Sequence, residues 1–342
     1  MKILFGSVIE DNAGWGAEWF LKKSFEELEV RTYDVDYKKN RFRLVSEFDR
    51  FGSSYFDGFL LQRGDYFPLN VVRALPRPRI FWATELVARR KDQEPNIRSE
   101  LFDHVYVRSN PCYEKVIRLG WRDPGSLSVM STAFHPSVFY PIPNQEKDLD
   151  VVFVGSKMPR REALLDEVSK TFSVDRARVY GTQMNEYFNR AKIVLNLHSE
   201  DHLDTETRVY EALGSGAFLI TEPLSSESPF KHNQHLVEAQ GAREITEAID
   251  YYLRHSDERK RIATAGQIIA RSEHTYLNRA IEIRDRFRAL QCVIEGPKQI
   301  DQTLLHRDAW REPLRAIGWG LKRTAFRAQR KARHTLKRAA KR

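Results

Sequence analysis

Cysteine is nearly absent: Cys112 and Cys292 are the only two in 342 residues. Two thiols supply neither a disulfide framework nor a metal set, so the sequence reads as a reduced, cytoplasmic protein without a metal centre. Long apolar runs are missing too, and none approaches the ~20 residues that a membrane-spanning helix needs. Met1 to Val8 runs straight into Glu10 and Asp11, the pattern of an opening strand and not of a secretion signal. Most of the chain also lacks an excess of charge. The whole carries 56 Lys and Arg against 47 Asp and Glu. Residues 307–342 hold 13 of those bases with only Asp308 and Glu312 to oppose them, which leaves 43 basic and 45 acidic residues elsewhere. The net charge of +9 therefore belongs to a tail on a nearly neutral body.

What is present is alternation. Lys2 to Val8, Val30 to Tyr37, Phe56 to Leu61, Arg79 to Trp82, His104 to Val107 and Leu127 to Met130 read as strands. Helices are expected at Ala17 to Leu28 and Pro111 to Leu119. Strands alternating with helices predict a parallel, doubly wound sheet. Pro136, Pro141 and Pro143, followed by the polar run Asn144 to Asp148, then mark a linker. The alternation resumes with strands at Asp150 to Val154, Val174 to Gly181, Ile193 to Leu197 and Ala217 to Thr221. Amphipathic helices follow at Ala242 to Leu253, Asp257 to Ala270 and Tyr276 to Leu290. The expected class is α/β, with two Rossmann-like domains (1–140 and 141–290) facing a cleft and a basic helical tail (291–342).

The pattern is sharpest from Ala191 to Glu222. Two short apolar strands flank a helix in which Val209, Ala212 and Leu213 recur at helical spacing and Gly214 is the stop. Arg208 and Glu211 sit three apart on one edge of its apolar stripe. Asn196, His198, Thr221 and Glu222 fall at the carboxyl ends of the strands, where open α/β sheets bind ligands. A second candidate is Gly155-Ser156-Lys157 with Arg160 and Arg161, between a strand and a helix start. A glycine there lets backbone amides approach an anion, and the helix start adds unpaired N–H groups. Taken alone, the same residues also describe a solvated basic turn. In the first half, Asp65 and Glu85 end two strands as candidate cleft carboxylates, and Gly14-Trp15-Gly16 forms a glycine loop after the first strand.

The run from Arg208 through Glu211 to Gly214-Ser215-Gly216-Ala217 resembles the donor-site helix of group-1 glycosyltransferases with the GT-B fold. It looks most like the branch named after spore-maturation proteins. Asp150 to Ser156 with Arg161, and Glu273-His274-Thr275-Tyr276 with Arg279, agree. The resemblance covers Phe134 to Leu290 closely and the first 130 residues in layout only. It implies transfer of a sugar, hexosyl in type, from a nucleotide-diphosphate sugar to a cell-envelope or surface glycan, with no metal or other cofactor. Glu211 would accept hydrogen bonds from the ribose hydroxyls, and Gly155, Ser156, Lys157 and Arg161 would hold the diphosphate. Asn196 and Arg208 would complete the donor site, with Arg208 either orienting Glu211 or touching phosphate. Tyr180 stands either beside the nucleobase or as an ordinary strand-edge aromatic. Asp65 and Glu85 would be the catalytic candidates, since an inverting transfer needs a base, with Gly14, Trp15 and Gly16 on the acceptor side. Retaining members carry a glutamate eight positions before the Glu211 equivalent, where this chain has Leu203 beside Asp204. That departure keeps a non-catalytic nucleotide- or glycan-binding protein as an alternative; a nucleotide-sugar epimerase of the same shape is another, which would need dedicated acid and base residues in the cleft that the sequence does not single out.

The tail is read separately. Leu314, Ile317 and Leu321, with Trp310, Trp319 and Phe326, give a weakly apolar side to a helix otherwise covered by Arg and Lys. Such a helix is expected on an anionic membrane surface, which would make the protein peripheral at the inner face. A nucleic-acid arm would share the charge but not the aromatics. A solubilising tail is the plainer alternative.

Overall fold

The computed structural model describes residues 1–87, 91–199, 205–307, 309–318, 320–322 and 324. The chain divides into two compact units. One comprises Met1–Glu10, Val30–Val129 and the residues from Arg286 onward; the other comprises Asp11–Glu29 and Met130–Asp285. Residues 11–29 thus count with the second unit, although they follow the first strand of the first.

The first unit is built on β1 (Lys2–Ser7), β2 (Arg31–Asp36), β3 (Gly58–Gln62), β4 (Arg79–Ala83), β5 (His104–Val107) and β6 (Leu127–Val129). They form one parallel sheet in the order β2-β1-β3-β4-β5-β6. Every residue of β3, β4 and β5 is buried, as strands covered on both faces must be. Ala17–Glu27 (α1) belongs to the other unit, whereas α2 (Leu44–Asp49), α3 (Leu69–Ala74), α4 (Glu94–Arg98) and α5 (Asn110–Arg118) belong here. The core sets Phe48, Phe59 and Phe67 edge to face or tilted, at centroid separations of 6.1–6.2 Å. The chain after residue 286 returns to this unit. Phe56 N–H donates to Lys298 O, Arg77 N–H to Pro297 O and Asp301 N–H to Ala74 O, each at 2.8 Å. Ile300, and Leu305 on α12 (Gln302–Arg307 below), are buried in the same core, so residues 297–305 are structural and not appended.

The second unit is a five-stranded sheet of β7 (Leu149–Val154), β8 (Val174–Ala177), β9 (Ala191–Asn196), β10 (Leu219–Thr221) and β11 (Val237–Glu238). Its order is β11-β10-β9-β7-β8, again parallel. Its helices are α6 (Pro159–Val168), α7 (Gly181–Arg190), α8 (Thr207–Gly214), α9 (Gly241–Arg254) and α10 (Ser256–Glu273). Then come α11 (Tyr276–Gln291), which begins here and ends in the first unit, and α12 (Gln302–Arg307). α1 is held in the second unit by Phe20, which lies 5.5 Å from the His135 ring and 5.5 Å from Tyr276. Arg279, 8% exposed, donates to the Ser131, Thr132 and Glu273 carbonyls. It thereby ties the segment before the proline-rich linker to the start of α11.

Close packing fixes α8 in place. A Cβ at Gly266 on α10 would overlap the His235 carbonyl oxygen and come within 2.8 Å of Leu213 Cδ2 on α8. A backbone carbonyl has nowhere to retreat. Gly266→Ala is therefore expected to destabilise the protein by about 1–3 kcal/mol through overpacking, outweighing any gain in helix propensity. Urea unfolding should show the midpoint lowered; an unchanged midpoint would show that α10 can shift outward freely.

Candidate functional site

Three groups of polar side chains stand at carboxyl ends of strands or on the elements that follow. The first is the Glu211 group. Gly155 extends the β7–β8 ladder by donating to Ala177 O at 2.9 Å, so its position is fixed by the sheet. A Cβ there would meet the Phe153 ring at 2.8 Å and the Arg208 guanidinium at 3.6 Å. Absence of a side chain is what leaves room for the Phe153 ring; Arg208 would be at ordinary contact distance in either case. Arg208 Nε in turn contacts Glu211 Oε2 at 3.3 Å. Glu211 is 7% exposed. Burial pushes its carboxyl above the ordinary range, and Arg208 only partly offsets this. Ser156 is half-buried and Lys157 exposed on the same turn.

The second group is a closed knot. Arg160 makes a bidentate pair with Glu222 at 2.7 and 2.5 Å and also donates to His198 O at 3.1 Å. Glu222, 3% exposed, accepts the His198 backbone N–H as well, at 2.7 Å. Arg161 donates to Leu197 O at 2.7 Å and to Glu206 at 3.0 Å. His198 Nε2 lies 2.9 Å from Pro223 O. Burial works against its imidazolium, but Glu206, the Pro223 carbonyl and Glu222 outweigh that and raise its pKa. Bidentate arginine pairs are the strongest of these contacts, so the knot pins α6 to the ends of β9 and β10. Arg161, expected to be a free phosphate ligand, is committed to Glu206 and a carbonyl. Asn196 is 2% exposed and donates to Thr221 Oγ1 at 2.9 Å, so it ties β9 to β10 beneath the surface.

Tyr180, at the start of α7, packs against Trp15, their rings 4.4 Å apart and tilted by 30°, and both stay exposed. The glycine loop is tight: Gly16 N–H donates to Asn12 O at 2.8 Å, and Gly14 has φ +83°. Asn12 Nδ2 donates to Glu18 on α1 at 3.0 Å. Gly14, Trp15 and Gly16 therefore belong with Tyr180 in the second unit.

The third group lies in the first unit. Asp65 follows β3, 8% exposed, with Oδ2 taken by Arg63 Nε at 2.8 Å and Oδ1 by Gln93 Nε2 at 3.0 Å. Gln93 Oε1 accepts from the Glu85 backbone N–H at 3.4 Å. The Asp65 carboxylate and the Glu85 backbone are thus joined through one buried amide, which no pattern in the sequence announces. Leu203 and Asp204 lie outside the described residues, as do Trp319, Phe326 and everything from residue 325.

The Glu211 environment sets a pH dependence. Its folded pKa is raised, so the stability associated with its protonated form is complete below the unfolded value of about 4.3 and is lost as pH rises through the folded value. Glu211→Gln removes that cost. Denaturant midpoints measured from about pH 4 to pH 8 should show the variant gaining on the wild type as pH rises; parallel curves would mean that Arg208 already neutralises the burial.

Residues 138–285 match the family described as glycosyl transferase-like. Sucrose-phosphate synthase from Thermosynechococcus elongatus superposes with a TM-score of 0.65 at 13% identity, covering 86% of this chain and 100% of that one. Anabaena Alr3699/HepE, crystallised with UDP, gives 0.61 at 14% identity over 85% and 100%. AviGT4, a glycosyltransferase of avilamycin A biosynthesis, gives 0.57 at 15% over 86% and 98%. No curated protein sequence matches the chain. The fold is that of the GT-B glycosyltransferases, and the segment that carries Gly155, Arg208 and Glu211 is the one the glycosyl transferase-like family matches.

Proposed function

We propose that the protein is a glycosyltransferase that moves a sugar from a nucleotide-diphosphate donor to a glycan or lipid-linked acceptor of the cell envelope. The observation that carries this reading is Glu211: a buried carboxylate near the carboxyl edge of a parallel sheet, with one 3.3 Å ion pair to hold it. A ribose diol offers two O–H donors to such a group, and a carboxylate can accept both. The structures of HepE with UDP, with UDP-glucose, and with UDP and glucose support a uridine nucleotide as the first donor to test.

In this reading Arg208 and Lys157, with the backbone N–H groups that follow Gly155, meet the diphosphate. Charge builds on that group as the glycosidic bond breaks, so fixed cations there stabilise the transition state. Arg161 and Arg160 position the loop through Glu206 and Glu222 instead of touching the ligand. Trp15 and Tyr180 offer a pair of rings for the nucleobase. If transfer inverts, a base is needed beside the acceptor hydroxyl. Glu85 suits that role better than Asp65, both of whose oxygens are already occupied.

The tail supports a site of action. The described part turns helical at 312–318 and 320–322, and Trp310, Leu314, Ile317 and Leu321 are 53–67% exposed. These four side chains step by four, three and four residues, which places them along one side of a helix. Thirteen bases between residues 307 and 342 suit an anionic leaflet. Among the described residues no helix is long and apolar enough to cross a membrane, so contact would be peripheral.

Two measurements test the reading. Glu211→Ala should weaken UDP and uridine alike by roughly ten- to hundredfold, the worth of a charge-assisted hydrogen bond of about 1.5–3 kcal/mol. Lys157→Ala should weaken UDP alone. Unchanged UDP affinity in folded Glu211→Ala protein would refute the donor assignment. Sedimentation with anionic liposomes tests the tail: binding should fall with salt and with Leu314→Ser plus Ile317→Ser, whereas duplex-DNA binding with no liposome partition would overturn it.

A further inference from the structure

The His198 ring, just beyond β9, is enclosed by the segment that leaves β10 and the segment that enters α8. The residue is 4% exposed. Its Nε2 lies 2.9 Å from the Pro223 carbonyl oxygen, and its Nδ1 lies 3.9 Å from Oε1 of Glu206, the residue before α8. A carbonyl oxygen only accepts, so Nε2 must carry a proton. In the neutral ring that leaves a lone pair on Nδ1, an atom that is buried with no hydrogen-bond partner among the described residues. The lone pair then faces a carboxylate, acceptor against acceptor, out of water. A proton on Nδ1 turns the same contact into an ion pair.

The charged groups around the ring come from three elements. Glu206 precedes α8. Glu222 follows β10 and accepts the His198 backbone N–H at 2.7 Å. Arg160 on α6 donates to the His198 carbonyl oxygen at 3.1 Å, and Arg161 beside it shares Glu206 with the ring. Burial opposes the imidazolium, but the two carboxylates and the Pro223 carbonyl outweigh it and raise the pKa.

Glu206 is where this charge reaches the Glu211 group. It stands at the N-cap of α8 with extended backbone, φ −62° and ψ 154°, yet its carboxylate makes no cap hydrogen bond. Its Oε2 is taken by Arg161 at 3.0 Å instead. Thr205, one residue earlier, contacts the Ser225 hydroxyl at 3.1 Å. The entrance to α8 is thus held from α6, β9 and the exit of β10, and Arg208 and Glu211 lie within the first five residues of that helix. A carboxylate released from His198 would be drawn toward the unpaired N–H groups of the helix start and would shift that entrance.

We propose that His198 is a proton-dependent positioning residue: as an imidazolium it clamps Glu206 and so sets the start of α8, and a donor held by Arg208 and Glu211 binds more tightly to that form. The statement about the donor rests on the glycosyltransferase reading, whereas the clamp stands without it. Because the folded pKa is raised, the clamp is complete below the unfolded value of about 6.5 and is lost as pH rises through the folded value.

The clamp is tested without ligand, on the full chain, by ¹⁵N NMR of histidine rings and backbone amides from about pH 5.5 to about pH 8.5. The His198 signals are assigned by their loss in His198→Gln. Both ring nitrogens should carry protons at the acid end, and the Arg208 and Glu211 amide shifts should titrate with the ring. In Glu206→Gln the new amide can donate to the neutral Nδ1 while its oxygen still accepts from Arg161. The ring should then lose its proton at lower pH, and the α8 amides should no longer follow it. A ring that is neutral at the acid end, or α8 amides indifferent to its titration, overturns the proposal. Affinity for UDP-glucose, whose own groups do not titrate in this range, should fall about three- to tenfold from the acid to the alkaline end in the wild type. It should change much less in Glu206→Gln and in His198→Gln; titration of Glu211 is common to all three proteins and cancels in the comparison. Parallel affinity profiles would overturn the link to the donor. No UDP-glucose binding at any pH, with the ring and amide titrations as expected, would sink the donor reading and leave the clamp standing.

Discussion

A carboxylate taken out of water must be met by donors, and the second unit meets two of them in opposite ways. Glu222 receives a bidentate guanidinium and a backbone N–H, so its charge is spent on structure. Glu211 receives one longer contact from Arg208 and stays buried at a cost. The first arrangement makes the second possible. By clamping α6 to the ends of β9 and β10, the Glu222 knot fixes the turn from Gly155 onward, over which Arg208 lies. Without that clamp the cations of this turn would repel one another and spread into solvent, and Glu211 would lose its defined surroundings.

The strands and their order of appearance were legible because parallel strands buried on both faces leave short continuous apolar runs. The run Phe153-Val154-Gly155 announced both a strand and the turn that ends it. The helices α2, α3 and α4 were not legible: each is five or six residues long, too short for a 3.6-residue period to declare itself. The strand expected to reach Gly181 stops at Ala177, because Tyr180 and Gly181 turn the chain into α7. In the site, Glu211 and Arg208 could be paired from their spacing on one helix, since i and i+3 meet by geometry. What could not be read was which cations were already spent. Arg160 finds Glu222 across 62 residues, and Arg161 finds Glu206 across 45. Gln93 and Asn96 gave no signal at all, for a buried amide looks like any polar loop residue until its neighbours are known.

Allocation of cations has a consequence for how a diphosphate would be met. A loop that offered Lys157, Arg160, Arg161 and Arg208 all free would hold the ground-state anion tightly and gain little when charge develops. Two of the four are instead locked to carboxylates and carbonyls, so they lend rigidity and a diluted field. In the proposed reading Arg208 and Lys157 would be left to respond to the departing group, one half-buried beside Glu211 and the other exposed. A half-buried guanidinium is worth more to a developing charge than an exposed ammonium, because less water screens it.

Most of the tail's bases lie beyond residue 322, while the helical turns nearest the body carry the apolar side chains. Attraction to an anionic surface is long in range and weakly directional, and falls off over a Debye length of about 8–10 Å. Burial of Leu314, Ile317 and Leu321 acts only at contact. A chain whose charge follows its apolar residues in sequence would be drawn in first and oriented afterwards, with the orienting residues on the helical stretch 312–318 and 320–322. On the proposed membrane reading, orientation would be set where the body of the protein can use it, since Glu312 and Arg315 bind that helix to Val45 and Asn70.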